Sequence, residues 1–443
     1  MDVPSDEPTE PTGADPVPLV EPADGVPPVV ADAPSRPGGG GGGARAGGGG
    51  AGGTVRGAGP PPRGGGGGGG GGPPPPGPVA VDTERASGYR YSQRAYLVQL
   101  RREGAGTVLV DPIALGGRLD PLVQALDGTE WVLHAASQDL PCLAELGLRP
   151  SVLFDTELAG RLAGFERVAL GTLVERLLGY RLEKGHGAAD WSRRPLPADW
   201  LNYAALDVEL LVELRDVLEQ ELKRQGKLEW ALEEFEAART APLPRPRAEP
   251  WRRTSGIHRI RSPRQLAAVR ALWEARDALA RERDIAPGRV LPDAALVDAA
   301  VKNPSDEAAL LALPVFRGRA QRRMVGVWLG ALQRAAALPR NELPEPSQQH
   351  DGPPPANRWA DKDPVAAARL AAARTALTAV AEANTLPVEN LLLPDLVRRT
   401  CWQPPADVSP EGVAAALRDG GARSWQIALT ADVLSEALTQ PPT

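Results

Sequence analysis

The chain has 443 residues and a formal net charge of −6, from 50 Lys plus Arg against 56 Asp plus Glu. That is length for about two to four domains, and a total charge that announces no nucleic-acid partner. Two cysteines, Cys142 and Cys401, give neither a disulfide framework nor a zinc site and fit a reducing cytoplasm; no apolar run is long enough to span a bilayer, and Met1 to Glu7 lacks the basic and apolar regions of a secretion signal.

Residues 1 to about 25 are rich in Pro, Asp and Glu, with no Lys or Arg before Arg36, a composition that predicts an acidic disordered tail. Val26-Pro27-Pro28-Val29-Val30 fits a short edge strand. Pro37 to Pro78 is nearly all Gly and Pro and cannot bury a core. It lacks the Gly-Lys-Ser/Thr ending of a phosphate loop. Residues 1–78 are therefore expected to lie outside any folded unit.

Order begins at Val79. Val79-Ala80-Val81 reads as a buried strand that runs into Asp82-Thr83-Glu84. Tyr96 to Leu100 and Thr107 to Asp111 read as two more strands, joined by a turn at Glu103 to Gly106. Leu119 to Leu126 suits a helix, Glu130 to His134 a strand, and Ala135 to Leu146 a helix. Val152 to Phe154 is a further strand; 155–163, 169–177 and 197–225 are helical. Strands followed by alternating strands and helices predict an α/β domain over 79–228. Helices at 263–284, 293–302, 305–311 and 317–337 form an all-α region over 252–340. A spacer follows at 341–362, then a third region, 363–440, that looks like a diverged copy of the second. Ala275-Arg276-Asp277-Ala278-Leu279 parallels Ala373-Arg374-Thr375-Ala376-Leu377, and Leu291-Pro292-Asp293 parallels Leu393-Pro394-Asp395.

The chemistry lies in the acids. Asp82 and Glu84, two apart on a strand, share a face. They fit either an acidic strand end or a site where a hard divalent cation relieves their repulsion. Asp139 follows a buried strand at a helix start, where a charge favourable to the helix dipole is the simpler reading. Tyr203 and Asp207, four apart, share a helix face. Together the four carboxylates are enough to hold two divalent ions for in-line attack on a phosphodiester, with Tyr203 orienting the attacking water.

The set Asp82-x-Glu84, Asp139 and Tyr203-x3-Asp207 resembles the DEDD exonucleases, in the subgroup with tyrosine in the third motif. Gln99-Leu100, His134-Ala135-x3-Asp139, Phe154-Asp155-Thr156, Asp190-Trp191-x-Arg193-Arg194-Pro195-Leu196 and Tyr203-Ala204-Ala205-x-Asp207 look like ribonuclease D, and the two helical regions look like HRDC modules. The resemblance covers roughly Val79 to Leu438. It implies a ribonuclease H-like mixed sheet followed by two all-α modules. It also implies a 3′→5′ exoribonuclease that uses two Mg²⁺ or Mn²⁺ ions on the 3′ ends of structured RNAs such as tRNA precursors. Asp82, Glu84, Asp139 and Asp207 would be the metal carboxylates and Tyr203 the water-positioning residue. A helix that family members carry before the first catalytic strand is replaced here by the Gly/Pro segment.

Other residues have blander readings. His186 lies too far before Asp207 for the histidine of the sister subgroup and reads as loop. Asp155 reads as the cap of the following helix. Lys184, Arg193 and Arg194 flank Trp191 in an expected loop, where they either hold substrate phosphates or are simply solvated. From Trp251 to Arg340 there are 17 Lys plus Arg against 8 Asp plus Glu, a basic segment suited to phosphates. Rival functions are a DNA exonuclease, since the acids ignore the sugar, and a non-catalytic RNA-binding scaffold, which the intact set of acids disfavours. All five motif residues precede Leu228, which predicts a catalytic unit needing nothing downstream.

Overall fold

The computed structural model describes residues 21–22, 77–182, 185–243, 247–346 and 352–439. The expected edge strand at Val26 to Val30 and the Gly/Pro run up to residue 76 lie outside the described residues. Seven strands are described: β1 (Glu21–Pro22), β2 (Val79–Arg85), β3 (Ala95–Arg102), β4 (Gly106–Val110), β5 (Glu130–Leu133), β6 (Val152–Asp155) and β7 (Tyr180–Arg181). Five of them form one mixed sheet in the order β4-β3-β2-β5-β6, and β1 pairs with β7.

The sheet follows from its sequence. β2, β3 and β4 pair antiparallel, and the β3–β4 turn uses Gly104 and Gly106 at φ of 76° and 79°. These are left-handed positions that cost glycine nothing. β5 pairs parallel to β2, and β6 parallel to β5. Parallel pairing needs crossovers, which α1 (Asp120–Leu126) and α2 (Leu140–Glu145) supply. β2 therefore lies at the centre with a neighbour on each side. Its Val79, Ala80 and Val81 are at most 3% exposed, as a strand buried on both faces requires.

The helices of this unit are α3 (Thr156–Leu162), α4 (Leu170–Leu178), α5 (Ala198–Glu209), α6 (Leu211–Arg224) and α7 (Leu228–Thr240). α5 lies across β2, β3 and β4. The single helix expected from 197 to 225 is two, because Leu210 sits at φ −112°, ψ 7°. The boundary expected at Leu228 falls one helix short. Ala231 and Phe235 of α7 are fully buried, and the Phe235 ring lies 4.7 Å from Phe154 on β6.

Two helical modules follow; each opens with a long helix, a one-turn helix and a third helix, after which the first has three more helices and the second two. The first has a long helix α8 (Pro263–Arg283), then α9 (Pro287–Val290), α10 (Asp293–Lys302), α11 (Glu307–Leu311), α12 (Arg319–Arg323) and α13 (Val325–Ala337). The second, after α14 (Trp359–Lys362), has α15 (Pro364–Ala383), α16 (Val388–Leu391), α17 (Pro394–Trp402), α18 (Pro410–Asp419) and α19 (Ser424–Thr439). The first closes its own core around Trp251, Leu272, Phe316 and Trp328. The core of the second is continuous with that of the exonuclease unit, running from Phe154 and Leu218 to Leu377 and Leu434. No helix among the described residues is long and apolar enough to cross a membrane.

Candidate active site

β2 delivers Asp82 and Glu84 to one face, and α5 lays Asp207 over that face. One carboxylate oxygen from each lies within 4.8 Å of the others. The pairing register breaks between Glu84 and Arg85, so the strand leaves its regular ladder just past the second acid.

Asp139 approaches from the neighbouring strand. After β5 the chain turns sharply, with Ala135 at φ 57°, through a 3₁₀ turn at Ala136–Gln138. Asp155 holds that turn. Its Oδ1 accepts from Ala135 N at 3.1 Å and its Oδ2 from Ala136 N at 2.8 Å. Oδ1 also accepts from Glu157 N and Leu158 N at the start of α3. A residue read as a plain cap thus caps α3 and clamps the Asp139 turn together. Four backbone donors give the carboxylate what burial takes away; burial still lifts its pKa to about 6. Asp139 caps nothing with its own side chain. It is 5% exposed, and its Oδ1 accepts from Thr83 Oγ1 at 2.5 Å. Cys142 lies behind, its Sγ donating to the Asp139 carbonyl at 3.1 Å and 3.3 Å from Thr83 Oγ1.

The electrostatics are those of crowded, desolvated acids. Burial, and then the charges of Asp139 and Asp207, hold Asp82 well above the ordinary carboxylate range. Burial, with Asp82 and Asp207 beside it, pushes Glu84 up to about 9. Burial raises Asp139 against the Thr83 hydrogen bond. Burial raises Asp207 to about 6, opposed by the hydrogen bond that the Tyr203 hydroxyl donates to it. The Tyr203 hydroxyl is itself pushed up by burial and by Asp207. Arg85 is the cation that opposes the shifts at Asp82, Glu84 and Asp139. Such a set of hard oxygen donors, short of positive charge, fits a divalent cation.

Beside the acids lies a cleft of about 920 Å³, lined by Arg167, Leu170, Arg181, Gly185, Tyr203 and Asp207 among others. Gly185 lies against the Tyr203 ring: a Cβ there would stand 2.9 Å from Cδ2. His186 is in this loop, edge-on to Tyr203 at 5.9 Å, with Nε2 3.3 Å from Asp199. Lys184 lies outside the described residues. Arg193 sits 5.8 Å over the Trp200 ring. Arg194, offered by the sequence as a phosphate holder, is occupied. It makes a two-pronged pair with Asp111 at 2.7 and 2.8 Å and donates to the carbonyls of Tyr96 and Trp191. A guanidinium committed to one carboxylate and to the carbonyls of Tyr96, Trp191 and Arg193 has no fork left for a phosphate. The sequence reading missed Thr83 and Arg85, which follow directly from their place between and after the two acids of β2.

Comparison with known proteins accords with this geometry. Residues 73–223 match a family model described as 3′-5′ exonuclease, residues 265–332 one described as HRDC domain, and residues 352–438 one described as 3′ to 5′ exonuclease C-terminal domain. The HRDC model thus matches the first helical module, and a different model the second. Ribonuclease D of Gluconacetobacter diazotrophicus is 35% identical over 283 residues, covering 62% of this chain and 71% of that protein. A solved structure from Bifidobacterium adolescentis is 40% identical at a TM-score of 0.75, over 82% of this chain and 92% of that one. Escherichia coli RNase D, described as an exoribonuclease involved in structured RNA processing, is 26% identical at a TM-score of 0.59, over 82% and 94%. With the acids of β2 and α5 gathered in a mixed-sheet exonuclease unit and helical modules behind it, the chain belongs to the ribonuclease D family of 3′→5′ exoribonucleases.

Proposed function

We propose that this exoribonuclease holds two divalent cations, Mg²⁺ or Mn²⁺, on Asp82, Glu84, Asp139 and Asp207, and trims the 3′ ends of structured RNAs such as tRNA precursors. The exonuclease family is metal-dependent. The convergence of Asp82, Glu84 and Asp207 carries the reading, since buried carboxylates this close are stable together only with protons or a cation between them. When bound, the ions supply an activated water and a counter-charge for the leaving 3′ oxygen.

The protein's own groups do the rest. Thr83 and the clamp of Asp155 fix the Asp139 carboxylate from behind. Tyr203, with its hydroxyl on Asp207 and its ring against Gly185, is placed to orient the attacking water. The cleft alongside, with Arg167 and Arg181 on its wall, accommodates the terminal nucleotide. On the first helical module, Arg319, Arg322 and Arg323 are exposed and make no ion pair among the described residues, as a phosphate-gripping surface requires. The expected setting is the cytoplasm.

The deciding assay incubates 3′-labelled RNA and the matched DNA with Mg²⁺, Mn²⁺ or EDTA. RNA should be shortened from its 3′ end with either ion and left intact in EDTA. DNA should be a poor substrate; equal rates on both would mean that the site does not read the 2′-OH. Asp82→Asn should lower turnover by at least about 100-fold with the fold unchanged, because it weakens the ion site itself. Tyr203→Phe should lower turnover while leaving RNA affinity in place.

A further inference from the structure

The arginines around the active site are mostly committed to the fold. Arg101 pairs with Glu209, Arg90 donates to Ser192, and Arg194 is locked to Asp111. Arg85 is not. It makes no hydrogen bond among the described residues. Its closest acidic atom is Asp139 Oδ1 at 4.0 Å, too far for a hydrogen bond, and that oxygen already accepts from Thr83. The side chain is 28% exposed, so its guanidinium is partly open to solvent beside Asp139.

Its position explains its availability. Arg85 is the residue after Glu84, at the register break of β2, and it stands with Thr83 on the Asp139 side. Charge balance then defines a task. Four carboxylates balance two divalent ions, which leaves the charge of the scissile phosphate itself unmatched. That charge must be met as a water gives up a proton and its oxygen bonds to phosphorus, the P–O3′ bond breaks, and the leaving oxygen takes up a proton in exchange. A guanidinium, always charged and shaped to take two phosphate oxygens at once, suits this task better than any other side chain.

We propose that Arg85 is a substrate-contacting residue whose guanidinium meets the non-bridging oxygens of the phosphate being cut, on the Asp139 side of the site. This rests on the assignment of the four acids to the ions. Asp82→Asn serves as the control: if that variant keeps turnover, the ion site fails, whereas an inactive Asp82→Asn beside a normal Arg85→Ala sinks the Arg85 role alone.

The experiment compares Arg85→Ala, Arg85→Lys and Arg85→Gln with the unmodified chain on a short unstructured RNA. It measures turnover at saturating RNA, RNA affinity with Ca²⁺ in place of Mg²⁺, and the Mn²⁺ concentration for half-maximal rate. Arg85→Ala should lower turnover by about 100-fold, the size of one lost donor to a developing charge. Arg85→Lys should fall between, RNA affinity should change by less than about threefold, and the Mn²⁺ requirement should stay where it was. Wild-type turnover in Arg85→Ala would overturn the proposal. So would recovery of its rate at high Mn²⁺, which would make Arg85 only a brace for Asp139. Weaker RNA affinity at unchanged turnover would place the guanidinium on a phosphate upstream and overturn it too. Should Arg85→Ala fail to fold, Arg85→Lys and Arg85→Gln carry the same comparison.

Discussion

The two helical modules open with the same succession of three helices and differ in how they are attached. The first meets the exonuclease unit through polar contacts along one loop. Tyr91 Oη donates to Asp277 Oδ1 at 3.0 Å, Ser92 N to Asp284 Oδ1 at 3.0 Å, Ala286 N to the Tyr89 carbonyl at 2.9 Å, and Arg289 Nε to the Gly88 carbonyl at 2.8 Å. The second is part of the exonuclease core. Trp425 stacks on Trp230 at 5.1 Å, and Glu234 takes both Trp425 Nε1 and Arg423. Lys227, 5% exposed, donates to the carbonyls of Leu162 and Thr385, one on each side of the joint. One module is an accessory with its own core; the other is a wall of the enzyme. Repetition in sequence therefore says nothing about equivalence of role.

The sharpest way to break this contrast is deletion. Ending the chain after Pro346 strips the cover from Trp230, Glu234 and Lys227. It should lower the melting temperature by about 10 °C or more, or give insoluble protein, as expected when several buried side chains lose their partners. Excising residues 253–344 should be far milder, because the cut ends meet: Arg252 Nη1 donates to the Glu345 carbonyl at 3.0 Å. Joined by a short Gly/Ser linker, that protein should keep its metal-dependent turnover on short RNA but bind RNA more weakly and with a flatter salt dependence. A truncated chain as stable and active as the whole would erase the distinction.

Point changes sharpen it. Trp425→Ala should cost about 3 kcal/mol in thermal unfolding, and Tyr91→Phe about 1 kcal/mol for the loss of its hydroxyl contacts to Asp277 and Arg281. Replacing Arg319, Arg322 and Arg323 together with Ala should leave stability alone. It should flatten the log–log salt slope of RNA binding by about 0.7 for each arginine that touches a phosphate. A charge count alone would assign RNA binding to the first module; an unchanged slope would return that surface to ordinary solvation.

The smallest effect expected is one of pH. Glu84, raised to about 9, and Asp82, also raised, hold more protons in the folded metal-free protein than in the unfolded chain. That contribution to stability is complete below the unfolded carboxylate range and is lost as pH rises toward 9. A cation displaces the protons. The rise in melting temperature on adding Mg²⁺ should therefore grow from pH 6 to pH 9, and calorimetry in buffers of different ionisation enthalpy should detect proton release on binding.

Periodicity made much of the site legible. Asp82 and Glu84 share a face by the two-residue repeat, and Tyr203 and Asp207 by the four-residue one. What stayed hidden is long-range. Arg194 is spoken for by Asp111, 83 residues away. Thr83 points to the face that alternation assigns to apolar core, yet its hydroxyl finds Asp139, 56 residues on. The break at Leu210 has no Gly or Pro to announce it. The expected boundary at Leu228 gives α7 no place in the first unit, because the partner that buries Phe235 is Phe154 on β6, far back in the sequence. The joint at Trp230 and Trp425 depends on tertiary fit that no local pattern encodes.

The shared core also has a temporal side. α7 ends at Thr240 and its cover ends at Thr439, about 200 residues later. At a synthesis rate of about 5–20 residues per second, roughly ten to forty seconds pass between them. During that interval the nascent exonuclease unit carries an open apolar face, while the first module can close its own core and fold. The exonuclease core is thus completed by a helix made about 200 residues after α7, and an apolar face waits that long for its cover.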